Sequence, residues 1–474
     1  MASVHLNLQQ SRAFAMMKSF VCNNTEQVFV LKGYAGTGKS TMVKSLIKYF
    51  GNQNISFSLL ATTGRASKIL SNITGSIANT VHSKIYRFTG LNQDLEALDI
   101  ELSKPVVEKH GQLCLMFGLL KSDLIKEQVF IVDEASMMAD KLAINTSFAH
   151  FGDGRLLSDL FNYAPQAKFI FVGDACQLPP VSQNISPALN AAYLRATFNV
   201  GVSEIELTQI MRQCSDNDIL LAGQKIRKLF TSYQPQKWAI FPLKGYNNVK
   251  LHSSHVSLLS HYIESIKNNG YNFASLICHS NRQCNDITQI IRQALGLSLP
   301  TLMVGDLLMI TQNNIVTGLM NGDLVVIQSL GNRYRKGTGV TMIEVNVKEL
   351  FSGRDYSTLL IEDVVYANET NLRENQHQQL MIDFYRRMKA IGIKQKDARF
   401  NELMQKDTEL NALRAIYGYA LTCHKSQGGE WEEVYVYLDN KIQGMQRPYV
   451  YQWMYTAVTR AKQQLHLVND WFIQ

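Results

Sequence analysis

The sequence predicts an α/β protein of two parallel-sheet lobes, with a small insertion in the first lobe and a β-rich insertion in the second. Three observations predict it. The 474 residues exceed what one hydrophobic core organises, so two or more lobes are expected. Short apolar runs alternate with helical patterns, and each run ends in a polar motif, as strands do in an open parallel sheet. From Thr301 to about Glu362 this rhythm gives way to short β-rich runs spaced by Gly and Asn turns, which read as a small β-barrel.

The bulk properties narrow the class. A chain that is 46% hydrophobic and 18% charged has the composition of a soluble globular protein. The polar start MASVHLNLQQ does not read as a signal peptide, and no apolar run is long enough to span a bilayer, so a cytoplasmic protein is expected. The net charge of +8 permits a nucleic-acid partner without demanding one. The seven cysteines form no C-x-x-C pair and no zinc spacing, which suits inert thiols in a reducing compartment.

Leu6-Asn7-Leu8-Gln9-Gln10 precedes an apolar helix containing Ala13, Phe14 and Met17. A glutamine upstream of a phosphate loop can read an adenine edge, because its amide both donates and accepts. The loop follows as Gly33-Tyr34-Ala35-Gly36-Thr37-Gly38-Lys39-Ser40, the pattern G-x-x-x-x-G-K-[ST]. Gln27–Lys32 reads as the strand before it and Ser40–Phe50 as the helix after it, the context this loop requires. Glycines let backbone N–H groups turn toward phosphate oxygens at a helix N-terminus. Lys39 would reach the β- and γ-phosphates, and Ser40 would ligate Mg²⁺.

Ile55–Thr62 is a second strand, leading into Thr63-Gly64-Arg65-Ala66-Ser67-Lys68 and then Thr80-Val81-His82-Ser83. These hydroxyls suit either sugar–phosphate contacts or helix caps. Tyr86 to Lys126 breaks the strand–helix rhythm and reads as an insertion. Its apolar patch, Leu113 to Leu120, either caps the first lobe or acts on a substrate. Gln128–Val132 is a third strand ending in Asp133 and Glu134: Asp133 would hold Mg²⁺ and Glu134 would polarise an attacking water. Lys168–Val172 is a fourth, followed by GDACQLPPV, in which Gln177 could sense a γ-phosphate. The second lobe opens at Glu206-Leu207-Thr208-Gln209-Ile210-Met211-Arg212. It continues through the strand Ala274–Cys278 into Ser280 and Asn281. Ala367 to Leu410 has a polar helical pattern, read as a solvated arm. The chain then returns to sheet-forming sequence with HKSQGGE (424–430), VYVYL, YTAVTRAK (455–462) and LHLV.

The order of these motifs resembles that of superfamily-1 helicases, and within them the 5′→3′ RecD/Dda-like branch. LNLQQ, GYAGTGKS, ATTGRASK, TVHS, VDEAS, GDACQLPP, ELTQIMRQ with HKSQGGE, and YTAVTRAK fall in family order from residue 6 to residue 462. The paired prolines of GDACQLPP match this branch. The resemblance implies two RecA-like lobes, with an SH3-like barrel and helical arm inserted in the second. It implies ATP and Mg²⁺ as cofactors. Gln10, Gly33, Gly36, Thr37, Gly38, Lys39, Ser40, Thr41 and Glu430 would then bind nucleotide, with Ser40 and Asp133 on the metal. Lys39, Glu134 and Gln177 would be catalytic, together with Arg212 and Arg460 as arginine fingers. Thr63, Gly64, Thr80, His82, Ser280, Asn281, His424 and Ser426 would contact single-stranded DNA. The sequence departs from the family pattern at Thr62, where proline is frequent, and at Met211, where a tyrosine often stacks on adenine.

The implied organisation is a first lobe over 1–85 and 127–203, with the insertion 86–126 as candidate strand-separating wedge. The second lobe covers 204–300 and 411–474, with barrel and arm over 301–410. The implied partners are single-stranded and forked duplex DNA, with the chain acting as a monomeric ATPase unit and a protein partner for loading left open. Two other functions fit the same residues: an ATP-dependent DNA-binding switch subunit of a larger complex, and an RNA-directed motor.

Overall fold

The computed structural model of the protein describes residues 6–102, 113–120, 128–142, 149–210, 218–233, 235–337, 339–367 and 370–474. In chain order the first lobe comprises α1 (Leu8–Cys22), β1 (Val28–Gly33), α2 (Lys39–Gln53), β2 (Phe57–Ala61), α3 (Gly64–Thr74), β3 (Ala78–Thr80), α4 (Val81–Ile85), β4 (Tyr86–Leu91), α5 (Leu95–Leu102), β5 (Leu115–Leu119), β6 (Val129–Asp133), β7 (Ala149–Phe151), α6 (Leu156–Tyr163), β8 (Lys168–Gly173), α7 (Ala191–Phe198) and β9 (Val202–Leu207).

Six of these strands form one parallel sheet in the order β3-β2-β6-β8-β1-β9. Its central strands are apolar at nearly every position because both faces are covered. Phe29 and Leu31 of β1, with Ile170 and Val172 of β8, pack with Met17 and Phe20 of α1 and Met42 and Leu46 of α2. Val28, Val30, Phe169 and Phe171 pack on the opposite face with Leu157, Leu160 and Leu194 of α6 and α7. The sequence reading found four strands; the structure adds β3 and β9 at the two edges. β3 has only three residues, and β9 exposes Glu204 and Glu206 between its buried ends, so neither carries an apolar run. Because β9 runs to Leu207, the first lobe extends past the expected boundary at residue 203.

The insertion builds a small sheet, β4-β5-β7, and recruits β7 from beyond the expected limit at residue 126. Residues 103–112 and 121–127 of the predicted wedge lie outside the described residues.

The second lobe comprises α8 (Ile219–Thr231), β10 (Val249–His252), α9 (His255–Asn269), β11 (Ala274–Cys278), α10 (Asn281–Ala294), β12 (Leu307–Ile310), β13 (Leu324–Arg335), β14 (Thr341–Glu349), β15 (Asp355–Ile361), α11 (Glu362–Tyr366), α12 (Glu374–Ala390), α13 (Ala398–Lys406), β16 (Ala415–Tyr417), β17 (Ala420–Thr422), β18 (Trp431–Tyr437), α14 (Tyr449–Val458) and β19 (Ala461–Val468). Its own sheet is parallel, in the order β10-β19-β18-β11-β17. The inserted strands form an antiparallel sheet, β15-β14-β13-β12-β16. Its ends approach each other through a bridge between Leu360 and Leu413. β16 belongs to this sheet, so the insertion reaches Tyr417 rather than residue 410.

The arm is not solvated. Leu380 of α12 packs on Met342 and Ile361 of the inserted sheet. Met381, Ile382, Phe384, Tyr385 and Met388 pack instead with Leu95, Leu98 and Leu113 of the first-lobe insertion. Arg386–Asp99 at 2.7 Å and Lys389–Glu96 at 3.0 Å fringe this shared core. The polar residues that dominate α12 in sequence sit on its remaining surface, which is why its pattern read as solvated. Among the described residues no helix is long and apolar enough to cross a membrane.

Candidate functional site

Strand order places three motif ends side by side, because β6, β8 and β1 are neighbours and run parallel. The phosphate loop leaves β1, Asp133 ends β6, and Asp174 follows β8. Gly38 adopts φ +84° at the start of α2, and a Cβ there would stand 2.5 Å from Gln10 Nε2, so a side chain is excluded on both counts. Lys39 Nζ donates to the carbonyls of Gly33 at 2.7 Å and Tyr34 at 3.0 Å. Thr37 is buried and bonds the Tyr34 carbonyl. Ser40 and Thr41 open α2 behind Lys39.

Gln10 lies inside α1 rather than ahead of it. Its Oε1 accepts from the Asn7 N–H in a capping box, and its Nε2 donates to the Thr37 carbonyl. It therefore touches the phosphate loop, with its amide already engaged at both ends.

The two acids are half-buried, and Glu134 is strained. Glu134 has φ +50°, a left-handed conformation that costs a non-glycine residue energy and is retained where the surroundings enforce it. Its N–H donates to Asp133 Oδ1 at 2.9 Å, and its carbonyl accepts from Thr62. Burial, then the neighbouring Glu134, raises the Asp133 carboxyl well above the usual range. Burial also raises Asp174, against the pull of Lys39 and Tyr455. A buried carboxylate beside a second acid is a place a divalent cation stabilises.

The second lobe meets this site directly. Tyr455 Oη donates to Asp174 Oδ2 at 2.7 Å and accepts from the Ala35 N–H at 3.4 Å. The Arg227 guanidinium stands 3.4 Å over the Tyr34 ring. Its Nε and Nη1 are buried without hydrogen-bond partners. Tyr34, Ala35, Arg227, Tyr455 and Thr459 line one small cavity. The seam continues through Thr456 Oγ1 with Leu178 N–H, Gln427 Nε2 with the Leu178 carbonyl, and Gln452 Nε2 with the Gln177 carbonyl. Gln177 is buried in this seam, and its Oε1 accepts no hydrogen bond. Farther along, Arg65 stacks 4.3 Å over Trp431, and Lys68 pairs with Asp323 at 2.6 Å.

Arg460 is 4% exposed, and among the described residues its side chain bonds groups of its own lobe: the carbonyls of Thr456 and Gly429 and the Thr459 hydroxyl. Among the described residues, Tyr455 and Arg227 are the second-lobe groups that meet the phosphate loop. Arg212 and Met211 lie outside the described residues. Glu430 is exposed, between the buried Gly429 and Trp431.

A cleft of about 600 Å³ adjoins the seam. His82, Tyr86, Lys141 and Phe151 of the first lobe line it together with Pro179, Pro180, His424 and Gln427. The His82 ring stands edge-on to Phe151 at 5.3 Å and near Tyr86 at 5.7 Å. Burial lowers its pKa to about 4, so it presents a neutral aromatic face. His424 meets the Tyr449 hydroxyl at 3.2 Å, and burial lowers it as well.

The other predicted DNA contacts are placed differently. Thr63, Thr80 and Ser280 cap α3, α4 and α10, each accepting a backbone N–H three residues on. Asn281 begins α10. Gly64 is buried under Met320. Ser426 is fully buried and donates to the Cys423 carbonyl. The hydroxyls of Thr80 and Ser426 and the backbone of Gly64 are therefore withdrawn from any ligand in this arrangement, because caps and turns consume them.

The sequence reading did not single out Asp174, Tyr455 or Arg227. The first two lie inside recognised motifs, next to residues that drew the attention. Arg227 has no motif signal at all.

Comparison with known proteins gives two family matches. Residues 5–232 match the AAA domain family, and residues 417–468 match the UvrD-like helicase C-terminal domain family. The ATP-dependent RecD2 DNA helicase of Deinococcus radiodurans is 32% identical over 197 residues, which is 42% of this chain and 21% of that protein. The ATP-dependent DNA helicase dda of Enterobacteria phage T4 is 28% identical over 205 residues, 43% of this chain and 38% of its own. The alignments thus span well under half of either relative. A Bacteroides Pif1 helicase, solved with ADP-AlF3 and single-stranded DNA, superimposes with a TM-score of 0.52 at 18% identity, covering 100% of this chain and 94% of that one. At that identity the likeness is one of fold.

Proposed function

We infer the activity of this chain from its membership of the RecD/Dda-like superfamily-1 helicases: it is an ATP-dependent DNA helicase that moves 5′→3′ along a single strand. The observation that carries this reading is the seam. One lobe supplies the phosphate loop and the acids, the other supplies Tyr455 and Arg227, and a cleft lined by both lobes runs beside them.

The residues fit magnesium and ATP. The loop amides, Lys39 and the helix start suit phosphate oxygens, and the half-buried Asp133 with Ser40 suits Mg²⁺. Bound there, Mg²⁺·ATP supplies the cleavable phosphoanhydride and the cation that neutralises its charge. Lys39 would turn its ammonium from the loop carbonyls to phosphate. Glu134 would take the proton of an attacking water. Arg212 and Arg460 would offset charge on the transferring group, Arg460 by leaving its own-lobe carbonyls. Gln177, buried in the seam with a free acceptor, would link phosphate state to the second lobe. Both halves of the site lie on one chain, so a monomer suffices for turnover.

Opening and closing of the seam would alternate the grip of each lobe on DNA in the cleft. There Lys141 attracts phosphate, and the His82–Phe151–Tyr86 cluster offers stacking surface of the kind that holds single strands without sequence preference. We read the inserted antiparallel sheet as an SH3-like barrel. We read the 86–126 insertion, braced by α12, as the wedge. Breaking a base step costs a few kcal/mol.

The test is unwinding of forked duplexes carrying only a 5′ or only a 3′ tail. The 5′-tailed substrate should be opened and the 3′-tailed one left intact. Lys39→Ala should lose DNA-stimulated ATP hydrolysis and keep single-strand binding. Unwinding of the 3′-tailed fork alone, or undiminished turnover by Lys39→Ala, would overturn the reading.

A further inference from the structure

Three histidines with no part in the motor converge on the far edge of the second-lobe sheet. His252 ends the edge strand β10, His466 lies on its neighbour β19, and His261 lies on α9. The register pairs Lys250 with His466 and His252 with Val468. The two strand histidines are therefore offset by two residues and project from the same sheet face. One ligand atom from each of the three lies within 4.8 Å of the others. His252 Nε2 and His466 Nδ1 are 3.0 Å apart. Two nitrogens bound at ~2.0–2.1 Å to one tetrahedral ion stand about 3.3 Å apart.

The surroundings orient the rings. Tyr435 Oη donates to Glu433 Oε2 at 2.8 Å, so its oxygen accepts from His261 Nδ1, also at 2.8 Å. That fixes the proton on Nδ1 and leaves the Nε2 lone pair of His261 free. An imidazole–hydroxyl–carboxylate relay of this kind is the support that ligating histidines use. Ser265 holds the same Glu433 oxygen at 2.7 Å. His466 stacks on Tyr435 with centroids 4.2 Å apart, and its Nε2 is buried without a partner. His261 is exposed, which leaves a side open for a water ligand.

We propose that His252, His261 and His466 form a zinc site that ties the edge strand β10 to β19 and α9. The donor set is all imidazole nitrogen, which suits Zn²⁺ and excludes Mg²⁺ and Ca²⁺, since these require oxygen donors. The site is therefore independent of the magnesium expected at Asp133.

The test uses the full chain without a histidine tag, stripped with chelator and titrated with Zn²⁺ by calorimetry. Metal content after dialysis and the thermal midpoint are measured in parallel. One Zn²⁺ per chain and a raised midpoint are expected. His261→Ala alters an exposed side chain, so it keeps the fold, and it should weaken binding tenfold or more. Tyr435→Phe removes only the hydroxyl that anchors His261 and should weaken it roughly tenfold. Co²⁺ in place of Zn²⁺ should give visible absorption that His261→Ala abolishes. Failure to retain zinc, or His261→Ala binding within threefold of the unaltered protein, would overturn the proposal. The latter result would place the bound zinc elsewhere in the chain.

Discussion

Tyr455→Phe tests the short interlobe hydrogen bond from Tyr455 to Asp174, with the longer one from the Ala35 N–H lost beside it. Both partners are buried, Tyr455 at 3% exposure and Asp174 at 1%, and the bond is 2.7 Å long. Phenylalanine keeps the ring, so little cavity forms. The main loss is one donor to a buried carboxylate, worth about 1.5–3 kcal/mol; the 3.4 Å bond from the Ala35 N–H is the weaker one. If turnover requires the closed seam, that energy becomes a fall in kcat/KM of roughly 10- to 150-fold, since about 1.4 kcal/mol is a factor of ten. A second signature follows from charge. Tyr455 lowers the Asp174 pKa by donating to its charged form, and burial already holds that pKa above the usual value. Removing the donor raises it further, so the acid limb of the ATPase pH profile should move to higher pH. The assay is DNA-stimulated ATP hydrolysis between pH 6 and 9, with urea unfolding as the control for fold. A folded Tyr455→Phe protein whose kcat/KM lies within twofold of the unaltered enzyme, with the same acid limb, would refute the reasoning.

The remaining predictions address the cleft, the second-lobe arginine and the brace. Arg227→Ala removes a guanidinium over Tyr34 worth about 0.5–2 kcal/mol; the KM for ATP should rise roughly 3- to 30-fold while single-strand affinity is unchanged, measured by steady-state kinetics and filter binding. Arg227→Lys should not restore it, because an ammonium cannot stack as a plane. His82→Ala should weaken single-strand binding by about 1–3 kcal/mol, the worth of one stacked base, whereas His82→Phe should bind nearly as the unaltered protein does in fluorescence anisotropy. The same ring predicts acid sensitivity: its folded pKa of about 4 lies below the unfolded value, so the unfolded chain takes up that proton first and stability falls as pH drops from about 6.5 toward 4, by at most roughly 3 kcal/mol. Urea midpoints at pH 7 and pH 5 read this, and His82→Phe should flatten the difference. Phe384→Ala, at a fully buried position edge-on to Phe400, should cost about 3–5 kcal/mol in the shared core; fork unwinding should fall while single-strand-stimulated ATP hydrolysis persists.

The sequence revealed most where one residue type has one use. Gly33 to Ser40 could be read directly, because that spacing between a strand and a helix suits a phosphate cradle, and the adjacent acids at Asp133 fell at a strand end, where a sheet presents its ligands. Edge strands were not legible: β9 exposes glutamates, and a half-solvated strand has no apolar run to betray it. The arm misread has a similar cause. Buried positions on α12 are diluted by Gln, Arg and Lys on its free surface, and its partner Leu95 lies some three hundred residues away, where no local pattern reaches. Single hydroxyls were the weakest guide. Thr80 and Ser280 sit where a ligand contact or a helix cap would both place them, and the chain spends them on caps. Arg227 could not have been found, since its meaning arises only when α8 is laid against Tyr34.

The core shared by α12 and the first-lobe insertion has a mechanical consequence. Among the described residues the two halves of the molecule are fastened along the hydrogen-bonded face from Asp174 to Gln427, continued by Arg65 on Trp431 and Lys68 on Asp323, and again by Phe384, Met388, Leu95 and Leu98. Bodies joined at a second, distant point lose the freedom to slide or separate, and keep only swivelling about that fastening. Release of Tyr455 would then swing one half along a fixed arc, so every opening would retrace the same path.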